Sequence, residues 1–233
     1  MDKMIFTMLN SMKNVQNKQS NNAHEIANVV TPGFKKSYSE QTQSLDVHIP
    51  GTFATRAMPV TNATNVVDMN PGALMVSGRA LDVYVNTSGA IAVQGPEGQE
   101  LYTRRGDLTI SADGQLMTGT GSLVLGDGGP ITVPGGSNIS ITNDGSVNMI
   151  PRGANAEVTV GRIKLVDTKD TEMLIREDGL YQVREGALPA SADITLTTKA
   201  LEGSNVTVVD SMVRMITLSR QYEMSVNMIK NAR

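Results

Sequence analysis

The 233-residue chain reads as α+β: long N- and C-terminal helices paired in a coiled-coil-like way, an extended connecting arm, and a mainly antiparallel all-β domain between them. Three observations predict this. Apolar residues recur at alternating steps of four and three at both ends, the spacing that keeps one row of side chains against a partner helix. A polar stretch after the first helix has neither helical nor strand periodicity. The middle then breaks into short Val, Ile, Leu and Thr runs separated by Gly, Asn and Asp, as strands and turns do. The boundaries fall at 1–33 (helix), 34–77 (arm), 78–200 (β domain) and 201–233 (helix).

In the first helix the row is Met1, Ile5, Met8, Met12, Val15, Gln19, Asn22, Ile26 and Val29, firm up to Val15 and polar from Gln16 to Asn22. Thr31-Pro32-Gly33 stops it, because proline lacks the N–H and disfavours helical geometry in the residue before it. At 1.5 Å rise per residue such a helix is about 42 Å long, more than a single small core requires. The arm carries turn signals at Pro50-Gly51, Pro59 and Pro71-Gly72, with Phe53, Val60, Val66 and Val67 as possible anchors. More than forty structureless residues exceed an ordinary loop, so the arm is either a flexible linker or ordered by neighbouring subunits.

In the β domain Asp113-Gly114, Asp144-Gly145 and Asp178-Gly179 each sit between apolar runs and mark tight hairpins with positive φ at both turn residues. The expected pairs are 108–110 with 116–118, 139–142 with 147–150, and 173–176 with 180–183, with further strands at 82–85, 91–94 and 162–166. The last helix is expected to be capped by Ser204 or Asn205, and no Gly or Pro follows Gly203. Its row is Val208, Met212, Met215, Ser219, Tyr222, Val226 and Ile229, flanked by Val209, Val213 and Ile216. Two long seams with extra apolar faces fit a polymer better than a closed hairpin. The expected assembly interface is therefore Ile5, Met8, Met12, Val15, Ile26, Val208, Met212, Met215, Ile216, Tyr222, Val226 and Ile229.

A net charge of −3 without a long Lys/Arg run argues against nucleic acid and against adhesion to an anionic membrane. No apolar stretch approaches the roughly eighteen residues of a membrane span, and polar residues from Asp2 to Asn14 break up any secretory apolar core. The absence of cysteine fits cytosol and periplasm alike.

Both ends resemble the axial proteins of the bacterial flagellum, the rod and hook subunits. The segment from Ala23 to Lys35 is similar to the family's N-terminal motif at Ala27, Asn28, Thr31, Gly33 and Phe34, and departs from it at His24 and Glu25. Leu201, Glu202, Ser204, Asn205, Val206, Arg220 and Glu223 match its closing motif. Asp82-Val83, Tyr102-Thr103-Arg104-Arg105-Gly106 and Gly161 to Val166 resemble its outer β domain, although Ser88-Gly89-Ala90-Ile91 stands where Gly-Phe-Phe is usual. The opening Met1-Asp2-Lys3, the length and Gly129 to Pro134 look most like the proximal-rod member. The resemblance implies a structural subunit of the proximal rod that assembles helically through its terminal helices, with copies of itself and other rod proteins as partners, and transmits torque. It also implies export through the flagellar type III apparatus to the periplasmic space without a cleaved signal peptide, and terminal helices that order on incorporation. A distal-rod or hook subunit is the alternative within the family, and an exported β-domain adhesin or carbohydrate binder the alternative outside it.

Chemistry is thinly represented. His24 and His48 lack partners at ligand spacing, the aspartates of the turns lack the other acids of a calcium loop, and Gly126-Asp127-Gly128-Gly129 lacks the Lys-Ser/Thr ending of a phosphate cradle. Glu177-Asp178 and Glu185 at a hairpin tip are too exposed for paired-carboxylate chemistry. The expectation is no catalytic residue, no cofactor and no metal. A carbohydrate binder would present aromatics on one β face, and the chain has 3 Phe, 5 Tyr and no Trp.

Overall fold

The computed structural model describes residues 2–38, 41–47, 56–62, 65–134, 136–151, 156–184 and 186–231. The chain divides into two units. One comprises Met1–Asn28, Tyr38–Asn65 and Val206–Arg233, the other Val29–Ser37 and Val66–Asn205.

The first unit holds helix α1, Asp2–Ala27, helix α2, Val208–Asn231, and an antiparallel hairpin of Gln41–Val47 and Arg56–Asn62 in register from Gln41↔Asn62 to Val47↔Arg56. The cap of α2 is Thr207, whose hydroxyl bonds the Asp210 carboxylate while its carbonyl accepts from Ser211 N at 3.1 Å. Neither Ser204 nor Asn205 caps the helix. Asn205 is taken up elsewhere: its Oδ1 accepts from Lys36 N at 2.7 Å and its Nδ2 donates to Asp68 O at 2.9 Å.

The α+β expectation is corrected here. Among the described residues the chain is mostly β, with twenty strands and only these two helices, and long helices paired as a coiled coil are not what the structure shows. The contact between α1 and α2 runs through polar groups: Asn22 Nδ2 donates to Ser211 O at 2.8 Å, Arg214 Nη1 meets Glu25 Oε2 at 2.9 Å, and Gln19 and Ser219 lie 3.5 Å apart. Val15 and Leu218 add the buried apolar area. The reason lies in the sequence: the α1 row turns polar after Val15, and Ser211 sits where α2 approaches it, so no continuous apolar seam closes. Nor is residue range 34–77 simply an extended arm, since part of it forms the hairpin above and Val66–Val67 enters a sheet. The expected anchor Phe53, and His48, lie outside the described residues.

The second unit is built on a seven-stranded sheet in the order Ser37–Tyr38, Val66–Val67, Leu174–Ile175, Tyr181–Gln182, Glu100–Thr103, Gly89–Gln94, Leu165–Asp167. The strand Gly89–Gln94 is buried on both faces. Its odd positions Ile91 and Val93 join the main core with Val83, Val85, Leu101, Leu108 and Leu116, while Ala90 and Ala92 join a second cluster with Val67, Tyr102, Val166, Met173 and Tyr181. Smaller ladders complete the unit: Leu108–Ile110 with Leu116–Thr118, Gly136–Ile141 with Ser146–Pro151 and Val158–Arg162, Val83–Val85 with Leu196–Thr198, and Leu74–Val76 with Ala200–Glu202.

The three Asp-Gly hairpins form where the sequence places them. Their turns are of a different type from the one expected. Gly114, Gly145 and Gly179 take φ of +80°, +87° and +78°, and the aspartates before them do not take positive φ. In each, the glycine N–H bonds the carbonyl three residues back, and that same residue's N–H bonds the carbonyl after the glycine, as in Gly145 N to Thr142 O (3.0 Å) and Thr142 N to Ser146 O (2.9 Å). This is a type I turn closed by a glycine bulge. The segments 95–99 and 118–122 use the same device without an Asp-Gly pair.

Candidate functional site

Two features stand out: a buried ionic cluster joining distant parts of the second unit, and an apolar face on α2. The cluster centres on Glu202, at the end of the strand Ala200–Glu202. Lys35, Arg104 and Glu202 are all fully buried. Glu202 Oε1 accepts from Lys35 Nζ at 2.5 Å and from Gly72 N at 2.6 Å, and Oε2 accepts from Arg104 Nε at 2.6 Å. Lys35 Nζ also donates to Asn70 O at 2.5 Å. Three further Arg104 donors reach the carbonyls of Val85 (2.8 Å), Thr87 (2.8 Å) and Gly89 (2.7 Å), so one guanidinium pins the turn before the strand Gly89–Gln94. Gly33 seals the arrangement. Its N–H bonds Glu202 O at 2.7 Å, its carbonyl accepts from the Tyr181 hydroxyl at 3.2 Å, and it takes φ +69° pressed against the Arg104 backbone.

The charges do not balance within the cluster, since one carboxylate faces two cations. Burial, then the Arg104 charge, lower the Lys35 ammonium to a pKa of about 8 against the attraction of Glu202. Burial, then the Glu202 charge, push the Tyr181 hydroxyl well above the usual tyrosine value. Burial likewise drives Tyr102 up to about 12 while its hydroxyl donates to Glu100 Oε1 at 2.9 Å.

The cluster gathers part of the predicted motif set. Gly33, Glu202 and Asn205 belong to this network, and Val206 is buried. Phe34, Thr31, Leu201, Ser204 and Asn28 are half-buried, and Ala27, Arg220 and Glu223 are exposed. Sequence reasoning did not single out Lys35 or Arg104, although both lay inside quoted stretches. Each stands first of a pair of cations, in Phe34-Lys35-Lys36 and Thr103-Arg104-Arg105, a pattern that by itself reads as surface.

Of the predicted interface residues, Val15 is buried, and Met12, Ile26, Met215, Val226 and Ile229 are half-buried. Val208, Met212, Ile216 and Tyr222 are exposed, and the side chains of Ile5 and Met8 lie outside the described set. Exposure on α2 has a direction. At 3.6 residues per turn, Val209, Met212, Val213 and Ile216 fall within about 100° of one another, on the side away from Ser211 and Leu218. These four are 71%, 54%, 59% and 55% exposed. Met224 extends the stripe past Arg220. Among the described residues no helix is long and apolar enough to cross a membrane, and no three His, Cys, Asp or Glu are grouped to hold a metal.

The chain matches two family models, one described as flagellar basal body rod FlgEFG protein C-terminal, over residues 197–233, the other as flagellar hook protein FlgE/F/G D1 domain, over residues 84–149. Over 239 residues it is 37% identical to the flagellar basal-body rod protein FlgF of Salmonella typhimurium, covering 98% of this chain and 93% of that one. The chain belongs to the flagellar basal-body rod protein family. It is 34% identical over 240 residues to the FlgF of Escherichia coli, with 99% and 94% of the two chains covered. Against the rod protein FlgG of Buchnera aphidicola subsp. Acyrthosiphon pisum the identity is 30% over 231 residues, covering 87% and 85%. As a rod-family protein the chain is a structural subunit of the flagellar basal body. Glu202, at the centre of the ionic cluster, and all of α2 lie inside the C-terminal rod match.

Proposed function

We propose that this rod subunit takes the proximal position and is held there by its terminal helices, with the exposed face of α2 as a principal contact. The observation that carries the reading is that face: four large aliphatic side chains, Val209, Met212, Val213 and Ile216, side by side on a helix and open to water. A contiguous apolar stripe of this kind marks a surface that is covered in the working assembly. The occupants are other rod subunits and further copies of this chain, and the methionines suit contacts that differ slightly from one neighbour to the next. The 37% identity to the FlgF of Salmonella typhimurium, against 30% to the FlgG of Buchnera aphidicola subsp. Acyrthosiphon pisum, supports the proximal position.

The role is mechanical rather than enzymatic. The chain travels to the periplasmic space through the flagellar export apparatus. The test is complementation of a strain lacking this gene by Ile216→Glu and Met212→Glu. Wild-type secretion of the subunit together with loss of rod assembly supports the reading, and normal swimming of both variants refutes it.

A further inference from the structure

The ionic cluster joins pieces that are far apart in sequence. Lys35 and Glu202 are separated by 167 residues, and Arg104 and Glu202 by 98. Four of the five Arg104 N–H donors are used, on one Glu202 carboxylate oxygen and on the carbonyls of Val85, Thr87 and Gly89. Without Glu202 that guanidinium and the Lys35 ammonium would be two buried cations deprived of the carboxylate that bonds both, which a protein interior tolerates poorly. The backbone depends on the same junction. Gly33 N bonds Glu202 O, Gly72 N bonds Glu202 Oε1, Lys36 N bonds Asn205 Oδ1, and Gly203 N bonds Ala73 O. Gly72 lies so close to Gly203 O that an added Cβ would be 2.0 Å from it.

We propose that Lys35, Arg104 and Glu202 form a latch, so that the core around Val85 and Gly89 reaches its final order only when residues 33–36 and 200–205 are both seated on Arg104. The β core of this unit is therefore not an independent folding piece running from residue 78 to residue 200; it is completed by short straps from both ends of the chain. Charge sets a ranking among the three. Removing Glu202 strands two cations. Removing the Lys35 charge leaves Arg104 and Glu202 as a matched pair, so the damage is small. If the chain is delivered end first, as the export reading requires, the latch stays open until residues 35 and 202 have both emerged. That consequence alone rests on the export reading.

The experiment is native-state hydrogen exchange on the full chain at rising denaturant concentration. The latch requires the amides of Gly33, Lys36 and Gly203 to open together with those of Val83, Asn86 and Ala92, with one common denaturant dependence. Opening of Gly33, Lys36 and Gly203 at lower denaturant, while the other three stay protected, overturns the proposal without any variant. A second readout uses substitutions. Glu202→Gln should speed exchange at Val83, Asn86 and Ala92 by about a hundredfold or more, and Lys35→Met by less than about tenfold. Equal effects, or the reverse order, overturn it as well.

Discussion

Replacing Gly33 by alanine tests whether the close approach at the ionic cluster, rather than backbone freedom alone, demands glycine. An alanine methyl there would lie 2.7 Å from the carbonyl carbon and oxygen of Arg104 and 2.7 Å from the Arg105 nitrogen, all backbone atoms. The left-handed conformation at φ +69° adds a cost of about 1–2 kcal/mol for any residue with a Cβ. Relieving the clash means moving residue 33 off Arg104, which weakens the 2.7 Å bond to Glu202 O and the 3.2 Å bond from Tyr181. Each buried partner left unsatisfied costs roughly 1–3 kcal/mol, so with both bonds lost the total is about 3–8 kcal/mol. Gly78→Ala is the control: its φ is +75° and an added Cβ would meet nothing within 4 Å, leaving only the conformational cost of about 1–2 kcal/mol. In thermal unfolding of a chain this size, at roughly 2–4 °C per kcal/mol, the control should lose about 2–8 °C and Gly33→Ala about 6–32 °C. Urea unfolding of the same pair gives the free energies directly. Equal losses in the two variants would refute the argument from close approach.

Three further outcomes follow from the same geometry. Ile216→Glu and Met212→Glu replace exposed side chains, so monomer stability should stay within about 0.5 kcal/mol of wild type while swimming in soft agar is lost; unfolding of the monomer would mean that this face is already covered. For Lys35 the folded pKa of about 8 lies below the ordinary lysine value of 10.5, so the unfolded chain binds more protons between them. The associated stability is complete above the unfolded value and is lost as pH falls through about 8. Wild type should therefore gain on Lys35→Met between about pH 8 and 9.5, by at most about 1.4 kcal/mol per pH unit, and a flat difference in denaturant titrations sinks the assignment. The window stops short of pH 10 because Tyr102 and Tyr181, raised by burial, contribute in the opposite sense above it. Finally, Glu177→Gln combined with Asp178→Asn at an exposed hairpin tip should leave motility unchanged, and total loss of function at unchanged stability would point to chemistry at that turn.

Local chemistry was readable from the sequence, and long-range pairing was not. The hairpins around Gly114, Gly145 and Gly179 were placed because Asp-Gly is a local instruction that needs only its flanking apolar runs. The turn type was missed because an aspartate at negative φ followed by a glycine bulge uses the same dipeptide as the two-residue turn. The hairpin 41–62 escaped because Gln41-Thr42-Gln43-Ser44 carries no apolar alternation.

On α2, spacing found apolar rows without saying which row would meet α1. Ser211, which turned out to be buried there, is no signal of an interface, whereas Met212 and Ile216 were left facing water. The same spacing is compatible with a partner in this chain or in another one, and periodicity cannot tell them apart. The ionic cluster was hidden for a different reason. Lys35, Arg104 and Glu202 are residue types that default to the surface, and only contacts spanning 98 and 167 residues make their burial tolerable. The motif resemblance singled out Glu202 without its two cationic partners, and one carboxylate between two buried cations is what makes the fold of the second unit depend on both of its ends.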